Sequence, residues 1–251
     1  MSFIKSTSAA IIMMNVSFWT TTSVNSAPDT QQISPQETEY WTPVPQKVNP
    51  DPVPSDAIVL FDGAHTNKWQ HPDKSAVQWT LEDGILTTKS GTKSIQTKEN
   101  FCDIQLHLEF KAPKHTGKPI GQRQGNSGIY IQGRYEVQIL DSYDNPTYVN
   151  GQAASVYKQS PPLVNASRPS GHWQSYDIIF HAPEFNDAGD ITEKATVTVL
   201  HNGVLVQDHF EIQGGTRYRG YPEYKKHGCA PIVLQNHGQV VSFRNIWVRK
   251  L

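Results

Sequence analysis

The stretch Gly125–Asp141, GNSGIYIQGRYEVQILD, decides how the chain folds. It reads as two β-strands joined at Gly133, with side chains that alternate between two faces. Ile129 and Ile131 share one face, and Tyr130 and Gln132 the other. Beyond the turn, Tyr135, Val137 and Ile139 continue an apolar face, while Glu136 and Gln138 continue a polar one. An apolar face supplies a core. An acid, two amides and a phenol in mid-sheet exceed what solubility requires, and they predict the floor of a groove that grips a hydroxyl-rich ligand.

The rest of the chain carries the same grammar. Ile104, Leu106, Leu108 and Phe110 alternate with Gln105, His107, Glu109 and Lys111, the pattern of a half-buried strand. Trp79–Leu81 and Ile85–Thr87 flank Asp83-Gly84, and Thr196–Leu200 and Val204–Gln207 flank Asn202-Gly203; both are hairpin signals. Ile58–Phe61 opens the series, and Ile232–Gln235 and Val241–Arg249 close it. No segment has a convincing helical period. Closely spaced strands with Gly-rich turns predict an all-β jelly-roll sandwich of two antiparallel sheets, beginning near Asp56 and running to Leu251.

Composition agrees. Of 251 residues, 10% are aromatic and Gly and Pro number 17 each, as suits a β protein rich in turns. A net charge of −1 and the lack of any Lys/Arg-rich tract exclude nucleic acid as a partner. Lys5, the largely apolar run Ala9–Trp19 and the small residues near Ala27 predict an export signal over residues 1–27, with no membrane span and a periplasmic or secreted product. Residues 28–55 hold seven prolines, which favours extended chain, either a linker or an arm packed through Tyr40 and Trp41. Cys102 and Cys229 are the only cysteines; sequence leaves their pairing open.

Three loops are long enough to carry function: Lys111–Gln124, Tyr143–Pro169 with Tyr157, and Gly214–His227 with Arg217, Tyr218, Arg219, Tyr221 and Tyr224. Tyr157 and Tyr221 are the better candidates for sugar platforms. Trp69, Trp79, Trp173 and Trp247 sit in strand patterns and read as core, and His107 reads as solvent-facing.

These motifs, taken in order, resemble a known family, the 3-keto-disaccharide hydrolase domain, formerly a domain of unknown function. The matching stretches are Leu60–Gly63 with Trp69; Trp79 with Glu82–Gly84; Asn126–Tyr130; Tyr135–Asp141; Trp173; Asn202-Gly203; and Leu234–Gly238 followed by Phe243–Ile246. The resemblance covers residues 56–251. It implies a concanavalin-like jelly roll with glycosyl hydrolase chemistry on the concave sheet.

The chemistry can be weighed residue by residue. A retaining glycosidase needs two carboxyl groups about 5–5.5 Å apart. Here the neighbour of Glu136 on its face is Gln138, and an amide cannot exchange a proton at neutral pH. The elimination route that the resemblance suggests asks for one base, donors for an enolate and help for the leaving group. Glu136, His237 and Arg244 are the candidate catalytic residues: Glu136 as base, His237 as base or acid, Arg244 to stabilise the enolate or to bind a carboxylate such as Glu136. Asn126, Tyr130, Gln138, Asp141, Tyr157 and Gln235 are the candidate substrate-binding residues. A divalent metal held by Glu136, His237 and Asp141 is an alternative that the spacing does not fix. Duller roles stand beside these: a Glu136–Arg244 structural ion pair, His237 as a turn residue, Asp141 as a strand end and Asn126 as the holder of its turn. A non-catalytic carbohydrate-binding, lectin-like module is the competing function. An ordinary glycosidase drawing on Asp144, Glu184, Asp187 or Asp190 is the third.

Overall fold

The computed structural model describes residues 33–39 and 42–251. The predicted export signal, Tyr40 and Trp41 lie outside the described residues. Two units are distinguished, one ending at Lys47 and one spanning Val48–Leu251. In the first, Ser34 and Glu37 form a capping box that starts the four-residue helix α1 (Pro35–Thr38), with Pro35 at a position where a missing N–H costs nothing.

The second unit is built from fifteen strands. The first eight are β1 (Ile58–Phe61), β2 (Trp69–Gln70), β3 (Thr80–Glu82), β4 (Ile85–Thr87), β5 (Ile95–Thr97), β6 (Ile104–Lys111), β7 (Ser127–Ile131) and β8 (Tyr135–Ile139). The others are β9 (Gln174–His181), β10 (Glu184–Phe185), β11 (Ile191–Glu193), β12 (Thr196–His201), β13 (Val204–Glu211), β14 (Val233–Leu234) and β15 (Ser242–Lys250). One sheet runs β13-β12-β9-β6-β15-β4-β3 with β1 on β15, and a second runs β2-β5-β14-β7-β8; β10 and β11 form a separate ribbon. The pairings are antiparallel, giving the predicted jelly-roll sandwich.

Local chemistry explains the turns. Asp83 and Gly84 take φ of 49° and 75°, and Asn202 and Gly203 take 53° and 80°. These left-handed values suit Asn, Asp and Gly and match the twist of a tight hairpin. The β7–β8 hairpin instead uses a three-residue loop, Gln132-Gly133-Arg134, since Ile131 pairs with Tyr135. Gln132 therefore leaves the expected polar row. It sits in the loop at φ 53°, with its amide donating to the Phe101 carbonyl at 3.2 Å.

Alternation then builds the core. Leu106, Leu108 and Phe110 of β6 and Tyr176, Ile178 and Phe180 of β9 face Ile129, Ile131, Tyr135, Val137 and Ile139 of the other sheet in one buried cluster. Each such side chain contributes roughly 1.5–3 kcal/mol through burial. Tyr135 and Phe180 meet across the interface at 5.6 Å, and the Tyr176 hydroxyl donates to the Gln138 carbonyl at 2.8 Å. That bond ties the middle of β9 to β8, the strand that carries the polar row. Trp69 and Trp79 are core, as expected. Trp173 and Trp247 lie on the other side of the larger sheet, under Arg244 and His107. His107 is not the free surface residue its alternation suggested: it stacks on Trp247 at 5.1 Å and pairs with Asp177 at 2.7 Å. Cys102 and Cys229 form a disulfide beside the Phe101–Ala230 bridge, with Cα atoms 4.6 Å apart. No helix among the described residues is long and apolar enough to cross a membrane.

Candidate active site

The polar row lies on the side of β7 and β8 away from the core. Tyr130 pairs with Glu136 and Gly128 with Gln138 across the hairpin, so all four positions point the same way. Gly128 makes the arrangement possible. A Cβ there would lie 3.0 Å from Glu136 Cδ and Cγ, and closer still to Oε1. The glycine leaves the space into which the carboxyl folds.

Two loops close over the row. Residues 153–160 run along the free edge of β8, with Ala154 N–H donating to the Gln138 carbonyl, Gln138 N–H to Ser155 and Tyr157 N–H to Glu136, at 2.9, 3.0 and 3.1 Å. This strap delivers Tyr157. The second loop is pinned where Thr216 N–H donates to the Arg134 carbonyl at 2.9 Å and Glu136 N–H donates to Thr216 Oγ1 at 3.0 Å. It delivers Thr216 and Tyr218. The result is a pocket of about 150 Å³ lined by Asn126, Tyr130, Glu136, Gln138, Tyr157, Thr216, Tyr218, Gln235 and His237.

Glu136 is the only carboxyl among these lining residues. It is 3% exposed, and burial pushes its pKa up from 4.5 to about 7, with the neighbouring Tyr130 phenol pulling it partly back. Burial in turn raises the Tyr130 pKa well above its ordinary value, and the Glu136 charge raises it further, so the phenol stays a proton donor at neutral pH. The Gln138 amide lies between Gln122 and Glu136; with its nitrogen turned inward it donates to Glu136 Oε1 at 3.1 Å and to the Ser127 carbonyl at 3.0 Å. Asn126 is fixed through its own amide, which donates to the Gln122 carbonyl at 2.8 Å. Gln235 donates to the Tyr130 oxygen at 3.3 Å, while its buried Oε1 has no hydrogen-bond partner among the described residues.

His237 stands at the exposed rim. The Asn236 amide holds its turn by donating to the carbonyls of Lys89 and Thr92 at 2.8 and 2.9 Å. Its neighbour therefore carries the structural role that sequence allowed for His237 itself.

Seven of the nine candidate residues thus come together. Arg244 and Asp141 do not. Arg244 belongs to β15 of the larger sheet, where it pairs with Glu109 at 2.6 Å and lies 4.1 Å over the Trp173 ring. Its partner is Glu109 and not Glu136, because β15 hydrogen-bonds β6 with Arg244 opposite Glu109. Asp141 follows the end of β8, where strand parity no longer fixes direction, and accepts a hydrogen bond from the Gln124 amide at 2.9 Å, outside the pocket. The metal set Glu136, His237 and Asp141 is therefore not assembled, and among the described residues no group of three or more His, Cys, Asp or Glu could hold a metal. Tyr221 is 90% exposed and stands apart from the pocket. Sequence reading missed Gly128, Thr216 and Tyr218 as parts of the site. A glycine inside a strand pattern was the available signal for the first; the length and aromatic content of Gly214–His227 marked the loop that holds the other two, but not these residues within it.

Comparison with known proteins identifies the family and the fold. The model of the 3-keto-alpha-glucoside-1,2-lyase-like domain matches residues 56–249. A 3-keto-disaccharide hydrolase of Bacteroides thetaiotaomicron is 27% identical over 244 residues, covering 80% of each chain. A crystal structure of a candidate glycosyl hydrolase from Parabacteroides distasonis is similar with a TM-score of 0.85 and 47% identity, over 89% of this chain and 99% of that one. A second such protein from the same organism shares the fold at a TM-score of 0.59 and 20% identity, over 78% of this chain and 94% of its own. With the match running from the first strand of the sandwich into the last, the chain belongs to the family of 3-keto-alpha-glucoside-1,2-lyase-like domains.

Proposed function

We propose that the protein cleaves 3-keto-glycosides, including 3-keto-disaccharides, by elimination followed by hydration. The observation that carries this reading is the lone carboxyl in the pocket, Glu136, with a pKa pushed up to about 7. A paired-carboxylate mechanism needs a second acid at the site, whereas elimination needs one base poised near neutrality. The family and the Bacteroides relative support a 3-keto sugar as the substrate.

The ketone at C3 acidifies the proton on C2. Glu136 takes that proton, the C2 electron pair forms the C1=C2 double bond, and the C1–O bond breaks. The departing oxygen takes a proton, for which His237 at the exposed rim is the candidate donor, and leaves as an alcohol. Water then adds across C1=C2, with hydroxide on C1 and the proton returned to C2, giving net hydrolysis. Charge on the C3 oxygen is met by neutral donors, the Tyr130 phenol and the Gln235 amide, which lie 3.3 Å apart. Gln138, Asn126 and the unpartnered Gln235 Oε1 are suited to sugar hydroxyls. We place the enzyme outside the cytoplasm, a reading supported by the export-like N-terminus and by the Cys102–Cys229 disulfide.

The test is incubation with a 3-keto-disaccharide and with its unoxidised parent, following products by mass. Cleavage of the keto form alone is expected, with Glu136→Gln abolishing turnover and retaining sugar binding. Cleavage of the parent, or full activity in that variant, refutes the mechanism. Glycan binding without product from either sugar favours the binding-module reading.

A further inference from the structure

The pocket is half open to solvent, and its inner space of about 150 Å³, small beside the roughly 300–1,000 Å³ typical of sites for drug-sized ligands, suits one sugar ring. On the proposed function that ring is the oxidised sugar, since its C2 must reach Glu136. The leaving group then lies outside, against whatever the rim presents.

The rim presents a prepared aromatic surface. Tyr218 lines the pocket yet is 67% exposed. Its position is fixed by Lys158, whose Nζ donates to the Tyr218 carbonyl at 2.7 Å and lies 4.2 Å from the centre of the Tyr218 ring. The same ammonium lies 5.8 Å from the Tyr157 ring and 5.7 Å from the Tyr148 ring, and the hydroxyls of those two tyrosines are 2.7 Å apart. One cation therefore gathers three tyrosines from two loops. Lys158 does so from a left-handed backbone, φ 60°, which is unusual for lysine and signals a constraint from its surroundings. The next residue adds a second tie, with Gln159 donating to the Gly214 carbonyl at 3.0 Å and accepting from Gln213 N–H at 2.7 Å. An exposed ring held this firmly beside a polar pocket is suited to stack against another ring.

We propose that this rim is a leaving-group subsite for a ring-shaped aglycone, with Tyr218 as its stacking face and Lys158 as the residue that positions it. The chemistry recognised is a flat, largely apolar ring face, which either a second pyranose or a phenol supplies. The inference rests on the elimination reading, and the test separates the two.

Three substrates are compared: the methyl and phenyl 3-keto-glucosides and a 3-keto-disaccharide. The quantity read is kcat/KM for each ring-bearing substrate relative to the methyl glycoside, compared between variant and wild type, so that intrinsic leaving-group reactivity cancels. Tyr218→Ala lowers this ratio about fivefold, the size of one aromatic contact, and Tyr218→Phe retains it. Lys158→Met lowers it in the same direction, mainly through KM, and Lys158→Arg restores it. A fall confined to the phenyl substrate identifies an aryl aglycone, and one confined to the disaccharide identifies a sugar. Unchanged ratios in Tyr218→Ala overturn the subsite while leaving the elimination reading intact. Failure of the wild-type protein to turn over any of the three overturns both.

Discussion

Replacing Glu136 with glutamine should make the protein more stable, and only at neutral to alkaline pH. The carboxyl is 3% exposed and its pKa rises from 4.5 to about 7 on folding. Between those values the folded state holds a proton that the unfolded chain releases, so stability falls as pH rises through that window. At roughly 1.4 kcal/mol for each tenfold change in proton affinity, the ionised carboxyl costs the folded state about 3 kcal/mol above pH 7. Glutamine has the shape of the protonated acid and never ionises. Its stability should match wild type near pH 4.5 and exceed it by about 3 kcal/mol at pH 8.5, or about 6–12 °C in Tm for a domain of this size. Denaturant unfolding of both proteins at the two pH values measures the difference directly. Equal stabilities at pH 8.5 would refute the reasoning, since they would mean that the carboxyl ionises in the pocket as easily as in water. A gain of the same size at both pH values would also refute it, because a pH-independent gain comes from packing.

Other outcomes follow from the same geometry. With Glu136 as base, kcat/KM should rise with pH through about 7, following deprotonation of the free enzyme; a profile already flat from pH 5 upward would remove Glu136 from that role. Gly128→Ala should lower turnover at least tenfold, because the added methyl occupies the space of the Glu136 side chain; a crystal structure of the variant should show the carboxyl displaced, and wild-type kinetics would contradict the packing argument. Arg244→Gln should change kcat/KM less than twofold, as Arg244 pairs with Glu109 on the other sheet; a hundredfold loss would return it to the active site. Tyr176→Phe should cost about 1 kcal/mol of stability through loss of its bond to the Gln138 carbonyl, measured by denaturant unfolding.

Much of the sandwich could be read from period and turn chemistry. The alternation over Ile104–Lys111 and the two Gly hairpins depend on local rules, and they appear where those rules put them. β9 shows the same alternation, with Gln174, Tyr176, Ile178 and Phe180 buried, yet the reading passed over it beside the long loop that precedes it. For the site, position within a hairpin was legible and membership of a sheet was not. Glu136 and Gln138 lie on one strand, so parity alone placed them together. Arg244 was linked to Glu136 only by polarity, and which sheet claims the last strand is settled by pairing with β6, far away in sequence. Asp141 failed for a different reason, since parity holds only while the strand lasts and β8 ends at Ile139. Thr216 arrives through a contact between residues 80 positions apart and Tyr218 through one spanning 60, and no local pattern encodes either.

The strap over residues 153–160 has a consequence for how this pocket can be altered. β8 is the last strand of its sheet; the strap occupies the Gln138 N–H and the Gln138 and Glu136 carbonyls, and Thr216 takes the Glu136 N–H. An unprotected edge is a template for another chain to add a strand. Shortening the strap to widen the pocket would therefore uncover an adhesive edge, and such variants would be lost to aggregation before their specificity could be assayed. Enlargement is safer at Tyr218, whose side chain can be trimmed while the strap and Thr216 keep β8 sealed.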